Sequence, residues 1–234
     1  MAPNLRLSLS IFTIGFLIEA GEDVYSLMFH ASKQVAGETL FAVGAVATVV
    51  GMIFLTIGRH EWNELHRTRV GHAHATFLTV VLLGAAAAGP LAYYGYNPSV
   101  TIPSWISYEA GAAIAASLFF SFILYAVIVY HLLSPGGRAT LAVALAAAVP
   151  VAGVVGFFVA RDIPTYLATV RASPTKLTTL VEPVVSYLSY MFLAYALFAV
   201  AFMDAHRRVA RGLGQAPTAA RNAASGPSPP SRAQ

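Results

Sequence analysis

The chain has 234 residues, 57% of them hydrophobic and only 10% charged, with a mean hydropathy of +0.68 and a formal net charge of +4. That balance lies outside the usual soluble range and points to an all-α integral membrane protein. The absence of cysteine excludes disulfides, thiolate-bound metal and cysteine-held iron–sulfur clusters.

A helical span needs about 20 apolar residues, because the hydrocarbon core is about 30 Å thick and a helix rises about 1.5 Å per residue. Six blocks meet that demand: Leu7–Phe29, Thr39–Gly58, Ala73–Tyr94, Ile106–Leu133, Ala139–Val159 and Leu177–Met203. The fourth and sixth exceed a bare crossing and are expected to tilt or emerge from the bilayer. No alternation of barrel strands appears. The expected fold is a bundle of six transmembrane helices over residues 1–211, followed by a disordered Ala-, Pro- and Ser-rich tail over 212–234.

In the first block Arg6 precedes the apolar run, but Ile18 and Glu19 stand beside Ala20 where signal cleavage needs small residues, so an uncleaved helix is expected. Glu19, Glu22, Asp23, Ser26 and His30 recur at offsets of three and four and make one polar stripe. Carboxylates inside a bilayer are costly and face a cavity, a partner or an ion path. The stripe reads as a cation- or proton-binding site that Glu109 of the fourth block and Glu182 of the sixth approach from the same side, with Tyr108, Tyr125, Tyr187 and Tyr190 as hydroxyl donors. The plainer alternative is an aqueous vestibule, or a first helix that ends near Ala20.

The second block carries Gly37, Gly44, Gly51 and Gly58 at seven-residue intervals, with Ala47 and Thr48 on the same side. Seven residues are nearly two turns, so these positions form a smooth strip suited to close helix contact, or to a flat cofactor or lipid. The Ala-rich stretch from Gly84 to Gly89 in the third block is its expected packing partner. Between the two blocks runs His60-Glu61-Trp62-Asn63-Glu64-Leu65-His66. Its histidines are six apart, roughly 240° around a helix, which rules out the metalloprotease spacing of four. A solvated amphipathic connector is expected, with His60 and Glu64 on one side.

Six histidines, His60, His66, His72, His74, His131 and His206, fall at block ends on the face that holds the N-terminus. Paired neutral imidazoles at similar depth ligate haem iron. His74 and His131 suit that geometry best, with His72 and His206 as alternates, and haem b exchanging electrons with quinone is the cofactor this pairing suggests. The plainer reading is amphipathic placement at the headgroups.

On the opposite face, Tyr93, Tyr94, Tyr96, Trp105 and Tyr108 form an aromatic belt around the ordered loop Asn97–Ser104. The hairpin Ser134-Pro135-Gly136-Gly137 makes the fourth and fifth helices antiparallel neighbours. Pro150 is the expected kink of the fifth helix. The loop Arg161–Lys176, with Ile163, Tyr166, Leu167 and Val170 at helical spacing, predicts a short interfacial helix. Pro183 suits the start of the sixth span.

Arg59, Arg67, Arg69, Arg138, Arg207, Arg208 and Arg211 share one face, against Lys33, Arg161, Arg171, Lys176 and most of the acids on the other. Positive loops stay inside, so both termini are expected in the cytoplasm of a multi-pass cell-membrane protein. No basic stripe with interleaved aromatics suggests nucleic acid. Lys33 and Lys176 lie at outer loops, which excludes a retinal Schiff base, and no phosphate loop or dinucleotide fingerprint appears. The expectation is an ion- or proton-coupled transporter, or transport-associated subunit, with an acidic outward-facing site. The alternatives are a small b-type haem redox subunit and a structural packing subunit. The lipid bilayer is the common partner, joined by further copies or by membrane-complex subunits.

Overall fold

The structure is a computed structural model that describes residues 2–28, 33–66, 70–172 and 191–212, with side chains at all of these except 26, 27, 33–42, 65 and 66. The elements are α1 (Pro3–Met28), α2 (Lys33–Ile57), α3 (Arg59–His66), α4 (Gly71–Tyr96), α5 (Trp105–Val129, continued by a 3₁₀ turn over Tyr130–Leu132), α6 (Pro135–Ala172) and α7 (Phe192–Ala210). No strand occurs among the described residues. Three helices, α4, α5 carried through Leu132, and α6, are long and apolar enough to cross a membrane. Leu17, Val46, Leu78, Leu82 and Phe157 are each more than half exposed, the outer surface of a bundle suited to hydrocarbon.

Helix α1 packs against α2 and α7, α7 against α6, α6 against α5, and α5 against α4. Where helices are solvated by lipid, burial of apolar area drives little, and close approach and dispersion hold the contacts. The glycine strip of α2 supplies one such seam. Gly58 lies against Asn4 and Leu5, Gly51 against the ring of Phe12, and Gly44 against Glu19. Gly15 of α1 returns the favour to Ala47, and Ser8 Oγ donates 2.8 Å to the carbonyl of Gly51. Leu5, Phe12 and Glu19 are themselves seven apart, so two strips of equal period run antiparallel. The strip therefore meets α1, not the Gly84–Gly89 stretch of α4: its gaps are filled by Leu5, Phe12 and Glu19.

A second seam joins α5 to α6. A Cβ added at Gly111 would lie 2.5 Å from the Gly156 carbonyl oxygen and 2.6 Å from Ala160 Cβ. One added at Gly156 would lie 2.6 Å from Ala115 Cβ. Small residues four apart on both helices thus bring the backbones together. Helix α6 itself does not stop near Val159. Ile163, Leu167 and Val170 continue its buried face, so the expected short interfacial helix is the last part of one unbroken helix through Pro150 and Pro164. Its 38 residues span roughly 57 Å, more than a bilayer core, so α6 would tilt or project if it crossed one.

Helix ends are tied by charge. Glu61 of α3 accepts hydrogen bonds from the Leu5 amide at 2.9 Å and Asn4 Nδ2 at 3.2 Å, satisfying the first turn of α1. Trp62 is 1% exposed and anchors α3, while His60 and Glu64 are exposed. Ser134 caps α6 through Gly137 N–H, with Pro135 at the first helical position, and Asp204 of α7 accepts from Ser134 N–H at 2.9 Å. At the other end Arg171 donates to the carbonyls of Tyr94, Asn97 and Val100, fastening the loop between α4 and α5.

Gly156→Ala is expected to lower the unfolding free energy in mixed micelles by about 1–3 kcal/mol, because its methyl group has no room. Gly153→Ala, whose Cβ meets open space three residues earlier, is the matched control and should leave stability unchanged or slightly raised.

Candidate functional site

The rotation imposed on α1 by the glycine seam turns its polar stripe inward. Glu19, Glu22 and Asp23 are 9%, 2% and 0% exposed. Neither carboxyl oxygen of Asp23 has a hydrogen-bond partner among the described residues. Insertion of one aspartate at the centre of a membrane helix costs about 2.5–3.5 kcal/mol, so the arrangement works against stability and calls for another explanation.

Other helices complete the surroundings. The Glu19 side chain lies flat on α2 at Gly44, where an added Cβ would overlap its Cγ, Cδ and Oε1. Thr48 Oγ1 donates to the Gly44 carbonyl at 3.2 Å and lies beside the hydroxyl of Tyr125 from α5. Tyr125 interacts electrostatically with Glu19, and Tyr195 of α7 with all three carboxyl groups. Three helices thus converge on acids contributed by a fourth.

Two members of the expected site do not join it. Glu109 is exposed at the start of α5, roughly 24 Å along that helix from Tyr125, and Tyr108 beside it is 76% exposed. The register of α5 against α1 decides this, and nothing in the spacing of either helix encodes it. Glu182, Tyr187, Tyr190, Pro183 and His30, with the tail beyond Gly212, lie outside the described residues. Tyr195 and Gly44 take part without having been singled out for it. Phe12 and Phe16 sit below the acids, and their places seven and three residues before Glu19 were the available signal.

The histidines divide differently from the expected pairing. His74 Nε2 is 2.7 Å from Thr56 Oγ1 of α2. His131, its ring edge-on to Tyr130, lines a cavity of about 330 Å³ with Trp62 and His72, so His72 and not His74 is its neighbour there. His206 stands apart near Arg6 and Arg207; partial burial and those two guanidiniums hold its imidazole below the ordinary value. Among the described residues, no three His, Asp or Glu side chains are grouped to hold a metal ion.

Compared with known proteins, the chain matches no family model, no curated protein and no solved structure.

Gly44→Ala is expected to destabilise the protein by about 1–3 kcal/mol by displacing Glu19. Glu19→Ala on the same chain, which removes all three overlapping atoms, should recover most of that loss. Equal stability of Gly44→Ala and the parent chain, or no recovery in the pair, contradicts the contact.

Proposed function

We propose that this chain is a six-span membrane protein, with both termini cytoplasmic, that binds and releases a proton at the α1 acids as part of ion- or proton-coupled transport. The observation that carries the reading is Asp23: fully buried, with both carboxyl oxygens unbonded among the described residues, on the same face as buried Glu19. A carboxylate in that position needs a neutralising charge, and the smallest one is a proton. A metal cation asks for several convergent oxygen ligands, and no grouping of three candidate metal-binding side chains occurs among the described residues. Tyr125 and Tyr195 add hydroxyl groups along which a proton can pass. The arginine-rich loops on the N-terminal face support the orientation.

The redox alternative draws on one feature, the cavity shared by His72 and His131. A reduced-minus-oxidised haem band from the purified chain, lost in His72→Ala or His131→Ala, would favour it over transport. A packing role would be favoured by strict co-purification with other membrane subunits.

In sealed vesicles containing the full-length chain, a proton gradient should drive proton movement that Asp23→Asn reduces to the level of empty vesicles and Glu19→Gln weakens. Because Asn is neutral in the folded and the unfolded chain alike and avoids the cost of neutralising a carboxylate on burial, Asp23→Asn should also leave the unfolding free energy equal to the parent's or higher by up to about 3 kcal/mol. A hydrophobic carbodiimide, which reacts with protonated carboxyls in apolar surroundings, should label the parent at Asp23 or Glu19. Unchanged proton movement in both variants would sink the proposal.

A further inference from the structure

The acids of α1 sit directly above a layer of aromatic rings. Phe12 and Phe16 precede Glu19 and Asp23 on the same helical face. The Phe16 ring meets Tyr125 edge-on at 4.7 Å, Phe202 at 5.1 Å and Phe198 at 5.5 Å. Phe12 reaches Phe202 at 5.3 Å and presses on α2 at Gly51, where the missing Cβ makes room for its ring. Tyr125 closes on Phe198 at 5.5 Å. Each of these rings is at most 8% exposed.

Rings at such separations are in van der Waals contact and exclude the file of water molecules that a proton would follow. The nearest hydroxyls on the N-terminal side of the layer offer no substitute. Thr13 donates to the carbonyl of Leu9, and Ser8 to that of Gly51, so both are engaged by backbone. On the other side of the layer lies Asp23, buried and unpartnered among the described residues. Among the described residues, the groups facing the acids include Tyr125 from α5, Tyr195 from α7, and Gly44 and Thr48 from α2.

We infer that this ring layer is the floor of the acidic site: in this conformation it seals Glu19 and Asp23 from the N-terminal side of α1, so the site exchanges its proton towards the C-terminal end of that helix until the rings part, and passive leak through the parent chain stays low. The inference rests on the proton-binding reading above and adds to it a direction and a barrier. Phe16 and Phe198, at the centre of the layer, set the barrier without touching the proton themselves.

The test uses the full-length chain in sealed vesicles of known orientation with a pH-sensitive dye inside. Phe16→Ala with Phe198→Ala should raise passive proton conductance severalfold, and adding Asp23→Asn should abolish the rise. A folded double variant with no rise, or a rise that survives Asp23→Asn, overturns the inference. Since emptying two ring sites threatens folding, a second readout keeps the rings intact. The chain contains no cysteine, so Glu19→Cys supplies its single thiol. Modification by an impermeant maleimide only from the side of the α1 C-terminus supports the floor; modification from the N-terminal side, or from neither, overturns it. Failure of the functional reading looks different, because the parent chain then shows no Asp23-dependent proton movement whatever the rings do.

Discussion

The seam in which Leu5, Phe12 and Glu19 of α1 lie against Gly58, Gly51 and Gly44 of α2 fixes the rotation of α1 about its own axis. Given that rotation, helical periodicity alone decides what else turns inward: Ser8, Phe16, Glu22 and Asp23 follow at offsets of three and four. An α1 turned by half a revolution would present its acids to lipid, where their cost would not be shared with any neighbour. The glycines of α2 thereby do more than hold two helices together. They commit the protein to housing three carboxyl groups among α1, α2, α5 and α7.

The rest of the molecule supports that commitment in ways that suit a lipid solvent. Gly111, Ala115, Gly156 and Ala160 let α5 and α6 approach closely, so that the tyrosines and phenylalanines of α5 keep a fixed place opposite α1. Aromatic rings from α1, α5 and α7 supply the bulk that the small-residue seams lack. Polar side chains near helix ends do the fastening: Glu61 at the start of α1, Asp204 at the start of α6 and Arg171 at the loop after α4. Each places charge where backbone donors or acceptors would otherwise be unmet.

Helix class and most helix positions were legible in the sequence, because apolar block length is set by one solvent property, the thickness of hydrocarbon. The acid stripe was legible for the same reason that it is unusual: Glu19, Glu22 and Asp23 break an apolar face at helical spacing. What spacing within one helix cannot encode is register between helices. Glu109 and Tyr108 therefore seemed eligible, yet face outward, while Tyr195 meets the acids unannounced. The glycine strip announced close contact but not with whom, and the structure sets it against the heptad of Leu5, Phe12 and Glu19 on α1. The continuation of α6 past Val159 was hidden by Arg161 and Asp162, which read as a loop but pair with each other on an exposed helical surface. That His131 shares its cavity with His72 was likewise a matter of helix rotation.

The central claim is that a buried carboxyl of α1 holds an exchangeable proton. Infrared difference spectroscopy of the full-length chain in lipid, between acidic and alkaline conditions, reads the carbonyl stretch of protonated carboxyl groups directly. The expected spectrum has a band that disappears on alkaline titration, is lost or shifted in Asp23→Asn and Glu19→Gln, and persists in Glu109→Gln. A spectrum without such a band, or a band that only Glu109→Gln removes, would contradict it.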